Sequence, residues 1–213
     1  MGRIKKGILG GFSGKVGTVV GASWRGIDYM RSLPETSNKP ATPAQLAQQN
    51  KMAMFRGFLL GLDDIIERCF QNIKKYTPMN DALSNNMLHA VAGVYPEQSI
   101  AFDQLLFSKG ELLGSWGAEA VAATGNAIDF IWENGPYSPL RSAADQVTVV
   151  VYDPIAQQFC KLENAALRSE KIARLILPET FKGHEVHCYL SFYSEGRKIA
   201  STNEYLGLVE VVI

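Results

Sequence analysis

Histidine is scarce in this chain: His89, His184 and His187 are the only three among 213 residues. Imidazole is the commonest metal ligand and general base, so metal centres and nucleophile–base sites have little to draw on. Cysteine is equally sparse. Cys69, Cys160 and Cys188 are odd in number and far apart, which argues against a disulfide framework and for small buried hydrophobes. No run of 18 apolar residues occurs, so the sequence offers no membrane-spanning helix. The charged opening Arg3-Ile4-Lys5-Lys6 is followed by glycine-broken sequence rather than an apolar block of signal-peptide length. Lys6 stands where N-myristoylation requires Ser or Thr. These absences lead us to expect a cytoplasmic protein, with a virion or another large assembly as the other destination.

Glycine is plentiful at the start, where it fills eight of the first 26 positions. Gly10-Gly11-Phe12-Ser13-Gly14-Lys15 looks like a phosphate-binding loop, but Val16 replaces the hydroxyl residue that must follow the lysine. The next residues favour strand where that motif needs helix. A Rossmann fingerprint fails on the same context. His184 and His187 lie three apart on a predicted strand and so face opposite ways. Glu185 shares the face of His187, but two ligands do not close a zinc site. Asp64 and Glu67 share a helix face near Arg68 and read as solvated charge. His89 reads as an ordinary helix residue. We therefore expect no catalytic residues, no cofactor, no metal and no small-molecule substrate, and a protein that is not an enzyme.

Composition otherwise fits a folded chain, with 46% apolar and 20% charged residues. Formal charge is zero but unevenly spread. Residues 1–33 carry Arg3, Lys5, Lys6, Lys15, Arg25 and Arg31 against Asp28 alone, a net of +5, leaving −5 for the remainder. A basic arm on an acidic body suits nucleic acid, an anionic surface or the body of a neighbouring copy.

Three segments follow from the local patterns. Residues 1–41 form a glycine-rich arm and β-ribbon with a linker. Lys15–Gly21 and Ile27–Ser32 are predicted strands, separated by a turn at Gly26, and Pro34 to Pro40 is an extended linker. A two-stranded ribbon is marginal in water and needs a partner surface. Residues 42–99 form a helical hairpin. Thr42-Pro43-Ala44-Gln45 is a capping box with proline at the first helical position. Apolar spacing carries this helix through Ile73 and Tyr76; Lys74 and Lys75 suit its C-terminal dipole, and Thr77-Pro78 stops it. Gly57 and Gly61 share a face, which suits either a kink in the helix or the close approach of another backbone, with close packing the favoured expectation. Asn80 or Ser84 starts a shorter helix through Val91.

From residue 100 the period is two. Strands are predicted at 104–107, 118–123, 127–132, 146–152, 171–177, 185–193 and 205–212. Such spacing predicts a C-terminal antiparallel β-sandwich, immunoglobulin- or fibronectin III-like, over residues 100–213. No cysteine pair flanks Trp132, which excludes the disulfide-linked antibody type. In the strand from Glu185, Val186, Cys188, Leu190 and Phe192 should face inward and His187, Tyr189 and Ser191 outward. The overall expectation is an α+β chain.

Function is expected to lie in the arm. Ile8, Leu9, Phe12, Val16, Val19, Val20, Trp24, Ile27 and Tyr29 are the candidate assembly interface, since strand addition takes its affinity from main-chain hydrogen bonds. A homo-oligomer or polymer is the expected partner. The alternative is nucleic acid gripped by Arg3, Lys5, Lys6, Lys15, Arg25 and Arg31. A third reading has exposed Trp116, Tyr137 or Tyr189 binding glycan or protein.

The stretches GILGGFSGKVGTVVGASWRGIDYMRSLP, TPAQLAQQNKM, FSKGELLG and YLSFYSEGRKIASTNEYLGLVEV together resemble an uncharacterised family of bacterial and phage-associated proteins of about 200 residues. That resemblance spans nearly the whole chain. It implies a stereotyped order of arm, capped helix and sandwich, and a building-block role, but transfers no site residue.

Overall fold

The computed structural model describes residues 3–4, 11–35, 39–73 and 77–212. The chain divides into two compact units, Met1–Ala41 and Thr42–Ile213. The first is a four-stranded antiparallel sheet in sequence order: β1 (Arg3–Ile4), β2 (Phe12–Val16), β3 (Val19–Trp24) and β4 (Ile27–Ser32). The expected single strand over Lys15–Gly21 is broken at Gly17-Thr18. Gly17 has φ +58°, and a positive φ at the first central residue alone is the II′ hairpin pattern. Arg25 (φ 53°) and Gly26 (φ 79°) form the next turn, positive at both central residues as type I′ requires. The ribbon thus has four strands, two more than its β-prone runs suggested.

The second unit opens with α1 (Pro43–Leu59), a 3₁₀ turn over Leu60–Leu62 and α2 (Asp63–Cys69). The capping box forms as expected: Gln45 N–H donates to Thr42 Oγ1 at 3.3 Å, and Thr42 N–H donates to Gln45 Oε1 at 2.9 Å. The helix ends earlier than its apolar spacing predicts. Phe70 turns extended and bridges Lys109, with Gln71 N–H donating to Lys109 O and Lys109 N–H to Cys69 O. Those backbone groups are spent on a strand-like pairing, so helix cannot continue. Thr77-Pro78 does not stop this helix. It starts α3 (Pro78–His89), with Thr77 as N-cap accepting from Asn80 N–H, the same Thr-Pro device that opens α1. Lys74, Lys75 and Tyr76 lie outside the described residues. Gly61 packs closely, since a Cβ there would sit 2.6 Å from the Phe159 ring, whereas Gly57 faces open space.

After α3 come two short paired strands, β5 (Val91–Ala92) and β6 (Ser99–Ile100). The strand predicted at residues 104–107 is absent. A 3₁₀ turn occupies Phe102–Gln104, and the backbone beyond it bonds to side chains rather than to a neighbouring strand. Buried Asn86 accepts from Leu106 N–H and donates to Leu106 O, while Asn203 Oδ1 accepts from the N–H groups of Phe107 and Ser108. Two asparagines thus meet the hydrogen-bonding demand that a β-ladder would otherwise meet.

The remaining strands are β7 (Trp116–Ala123), β8 (Ala127–Glu133), β9 (Gln146–Asp153), β10 (Gln158–Leu162), β11 (Ile172–Ile176), β12 (Glu185–Ser194), β13 (Ile199–Ala200) and β14 (Glu204–Glu210). They form a three-stranded sheet, β11-β8-β7, and a five-stranded sheet, β10-β9-β12-β13 with β14 also on β12, all antiparallel. One face of the larger sheet (Val147, Val149, Val151, Val186, Cys188, Leu190 and Phe192) shares a core with Ile128, Phe130, Trp132 and Leu175 of the smaller. Its other face (Val150, Tyr152, Tyr189 and Tyr193) shares a second core with Phe55, Phe58, Leu62 and Ile65 of the helical layer. His187, Tyr189 and Ser191 therefore do not face solvent as the alternation suggested; all three are buried. A sheet covered on both faces reads as a near-continuous apolar run, which Val147 to Tyr152 spells with Thr148 as its one polar residue before the terminal tyrosine. The protein is a mixed α+β chain with several antiparallel sheets.

Candidate interaction surface

The candidate residues gather on the N-terminal sheet, and its register sorts them. Directly opposed residues share a face. Lys15 pairs Val20, which pairs Arg31; Ala22 pairs Tyr29; Trp24 pairs Ile27. These seven form one face. Val16, Val19 and Ser32 form a row on the other, with Gly21, Met30, Ser23 and Asp28.

The two faces differ in what covers them. A Cβ on Gly21 would fall 2.1 Å from the Phe12 carbonyl oxygen and 2.8 Å from its ring, and one on Gly11 would lie 3.0 Å from the Asp28 carboxylate. The start of β2 therefore crosses over the Gly21–Asp28 face, and Gly21 has no side chain because a backbone passes there. Gly14 has φ +100°, a conformation that lets the strand bend across. Gly21 is buried and Phe12 half-buried as a result.

The other face stays open. Trp24 is 48% exposed, Ile27 67% and Tyr29 45%, and Lys15 and Arg31 are exposed beside them. Arg25, in the turn, carries its guanidinium 5.4 Å from the Trp24 ring centroid, a cation–π distance. Asp28, the acid of β4, lies on the covered face.

The expected assembly set is thus divided. Val20, Trp24, Ile27 and Tyr29 come together on the open face, interleaved with the expected cations Lys15 and Arg31, while Phe12, Val16 and Val19 belong to the covered side. Arg3 is exposed on β1. Ile8, Leu9, Lys5 and Lys6 lie outside the described residues. Met30, 70% exposed, was missed by the sequence reading. It lies on the face that Phe12 crosses but stays exposed, because the crossing covers Gly21 and not its β4 partner.

Elsewhere several titratable groups are tied into the structure. His184 Nδ1 lies 2.6 Å from Asp153 Oδ2, and Asp153 Oδ1 accepts from Ile155 and Ala156 N–H. Burial would raise the Asp153 carboxyl, but these hydrogen bonds outweigh it and hold it below the usual range. His187 stacks on Phe102 with centroids 4.0 Å apart and meets Tyr205 Oη at 2.9 Å; burial lowers its pKa. Asp64 pairs with Lys161 at 3.1 Å, and the ion pair of Arg68 is with Glu163 rather than with Asp64 or Glu67 of its own helix. No cluster of three or more His, Cys, Asp or Glu side chains suited to a metal occurs among the described residues. No helix among them is long and apolar enough to cross a membrane. Of the candidate glycan-binding aromatics, Trp116 and Tyr137 are exposed, but Tyr189 is buried and donates to Phe102 O.

The chain belongs to the family of unknown function DUF6266, whose model matches residues 11–207. No curated protein matches it.

Proposed function

We propose that this DUF6266 protein is a non-enzymatic structural protein that self-assembles, its N-terminal sheet adding β4 to a sheet edge of a neighbouring copy. One observation carries the reading. Among the described residues β4 pairs only with β3, and all six of its residues are exposed. An edge strand presents a row of backbone donors and acceptors that another chain can complete. Ile27 and Met30 add apolar area that strand pairing would remove from water. The opposite charges of residues 1–33 and of the remainder favour encounter between copies. In this reading the body is a β-sandwich of immunoglobulin or fibronectin III kind, with β7, β8 and β11 facing β10, β9, β12 and β14 across Trp132, and the helical layer closes its outer face.

Light scattering tests the assembly. The full chain should have a mass well above the 23.4 kDa protomer, and a chain lacking residues 1–33 should not. The truncation spares both buried cores, which run from Phe55 to Val211. Ile27→Lys, which puts a charge on the edge strand, should weaken the assembly in the full chain. A monomer at every concentration would sink the proposal.

A further inference from the structure

The assembly reading uses the free edge of β4 and leaves the open face of the same sheet unexplained. That face combines three features. Lys15 and Arg31 stand in one cross-strand row with Val20 between them, so their Cα atoms are about 10 Å apart, two strand spacings. Trp24 and Tyr29 are nearly half exposed on the same side, and Arg25 lies over Trp24. Among the described residues of these strands no carboxylate lies on it: Asp28 points to the opposite side, where Gly11 approaches it.

We propose that this open face binds single-stranded nucleic acid, with Lys15, Arg25 and Arg31 on phosphates and Trp24 and Tyr29 stacked on bases. The charge calls for a polyanion, and the aromatics narrow the choice. An acidic protein surface would satisfy the cations but gives two exposed rings nothing to stack on. Every base has a π-face, so basic residues interleaved with aromatics suit an unstacked strand of any sequence. A duplex keeps its bases stacked and presents phosphates and groove edges but no free base face. The proposal is independent of assembly, because it uses side chains of one face rather than the backbone edge.

Fluorescence anisotropy of the full-length protein with a labelled ~15-nucleotide oligothymidylate, against a duplex of equal length, tests it. The single strand should bind more tightly. Three neutralised phosphates predict about a 20-fold loss of affinity between 50 and 200 mM salt. Lys15→Glu with Arg31→Glu should abolish binding, and Trp24→Leu or Tyr29→Leu should each weaken it about 5- to 150-fold. Val16→Ser and Met30→Ser, on the opposite face, should stay within about twofold. Because a variant can disturb so small a sheet, a second readout uses intact protein: the oligonucleotide should quench the emission assigned to Trp24 by difference from Trp24→Phe. No binding at 50 mM salt, equal loss from both faces, duplex preference or an unquenched Trp24 would each overturn the proposal. So would a Lys15→Glu/Arg31→Glu chain that changes only its assembly mass, which would make the acidic body of another copy the occupant.

Discussion

Arg168 is the most demanding single residue in the protein. Its side chain is 1% exposed, with Nε 3.2 Å from the fully buried Asp145 carboxylate, and its guanidinium stands 3.6 Å over the Phe192 ring. Nη1 and Nη2 donate to Gly114 O at 3.0 Å and Leu113 O at 2.6 Å, and Trp132 Nε1–H donates to the Arg168 carbonyl. Arg197 completes the group at 3.1 Å from Asp145. Burial pulls the Arg168 pKa down to about 10, against the opposing pull of Asp145, so it remains charged at neutral pH. The network ties the Leu113–Gly114 loop to the Asp145 and Arg168 segments, which already share the Gln146–Leu167 bridge. Removing one partner of a buried pair leaves unmet charge and carbonyls, so Arg168→Met should cost about 3–5 kcal/mol in urea unfolding. Arg168→Lys should also destabilise, because an ammonium cannot serve two carbonyls and a carboxylate in this forked geometry. Full stability in Arg168→Lys would refute the forked role.

Among the elements, the seam between the helical layer and the five-stranded sheet is set by aromatic packing. Phe58 meets Tyr152 and Phe159 edge-on, each at 4.8 Å, and Phe102 stacks on Tyr152 and His187. Gly61 lets β10 approach the turn between α1 and α2, since its missing Cβ is where the Phe159 ring lies. Gly61→Ala should therefore cost about 1–3 kcal/mol by overpacking. The same change on a Phe159→Leu background should cost clearly less, because the obstructing ring is gone. A double-mutant cycle measures the difference, and strict additivity would show that the contact is not the cause.

For the folded chain as one thermodynamic system, acid is the expected weakness, and two groups define its windows. His187 has a native pKa below its unfolded value of about 6.5. Below that pH the unfolded chain takes up a proton that the native state declines, so stability falls as pH drops through this range. Asp153 also has a depressed native pKa. Its contribution is complete above about pH 4 and is lost as pH falls further toward the native value. Urea midpoints should be level near pH 7 to 8, decline below about 6.5 and decline again below about 4. His187→Phe should flatten the first step and leave the second. An unchanged first step would assign it to other groups.

Much of this protein was legible in its residues because the signals were local. Thr42-Pro43 and its capping box, the alternation of β7, β8, β11 and β14, and the β-prone centres of the arm depend on neighbours within four positions. The misreadings share one cause: a partner distant in sequence took over the backbone or the face. Lys109 captured the end of α2, Asn86 and Asn203 replaced a ladder at residues 105–108, and the helical layer covered the side of β12 that alternation assigned to water. In the arm, the residue types of the candidate surface could be read directly, but their grouping could not. One two-residue turn at Gly17-Thr18 decides which side chains lie together. Because strand alternation has period two, that turn, with the crossing of Phe12 over Gly21, leaves Lys15, Arg31, Trp24 and Tyr29 together on the open side.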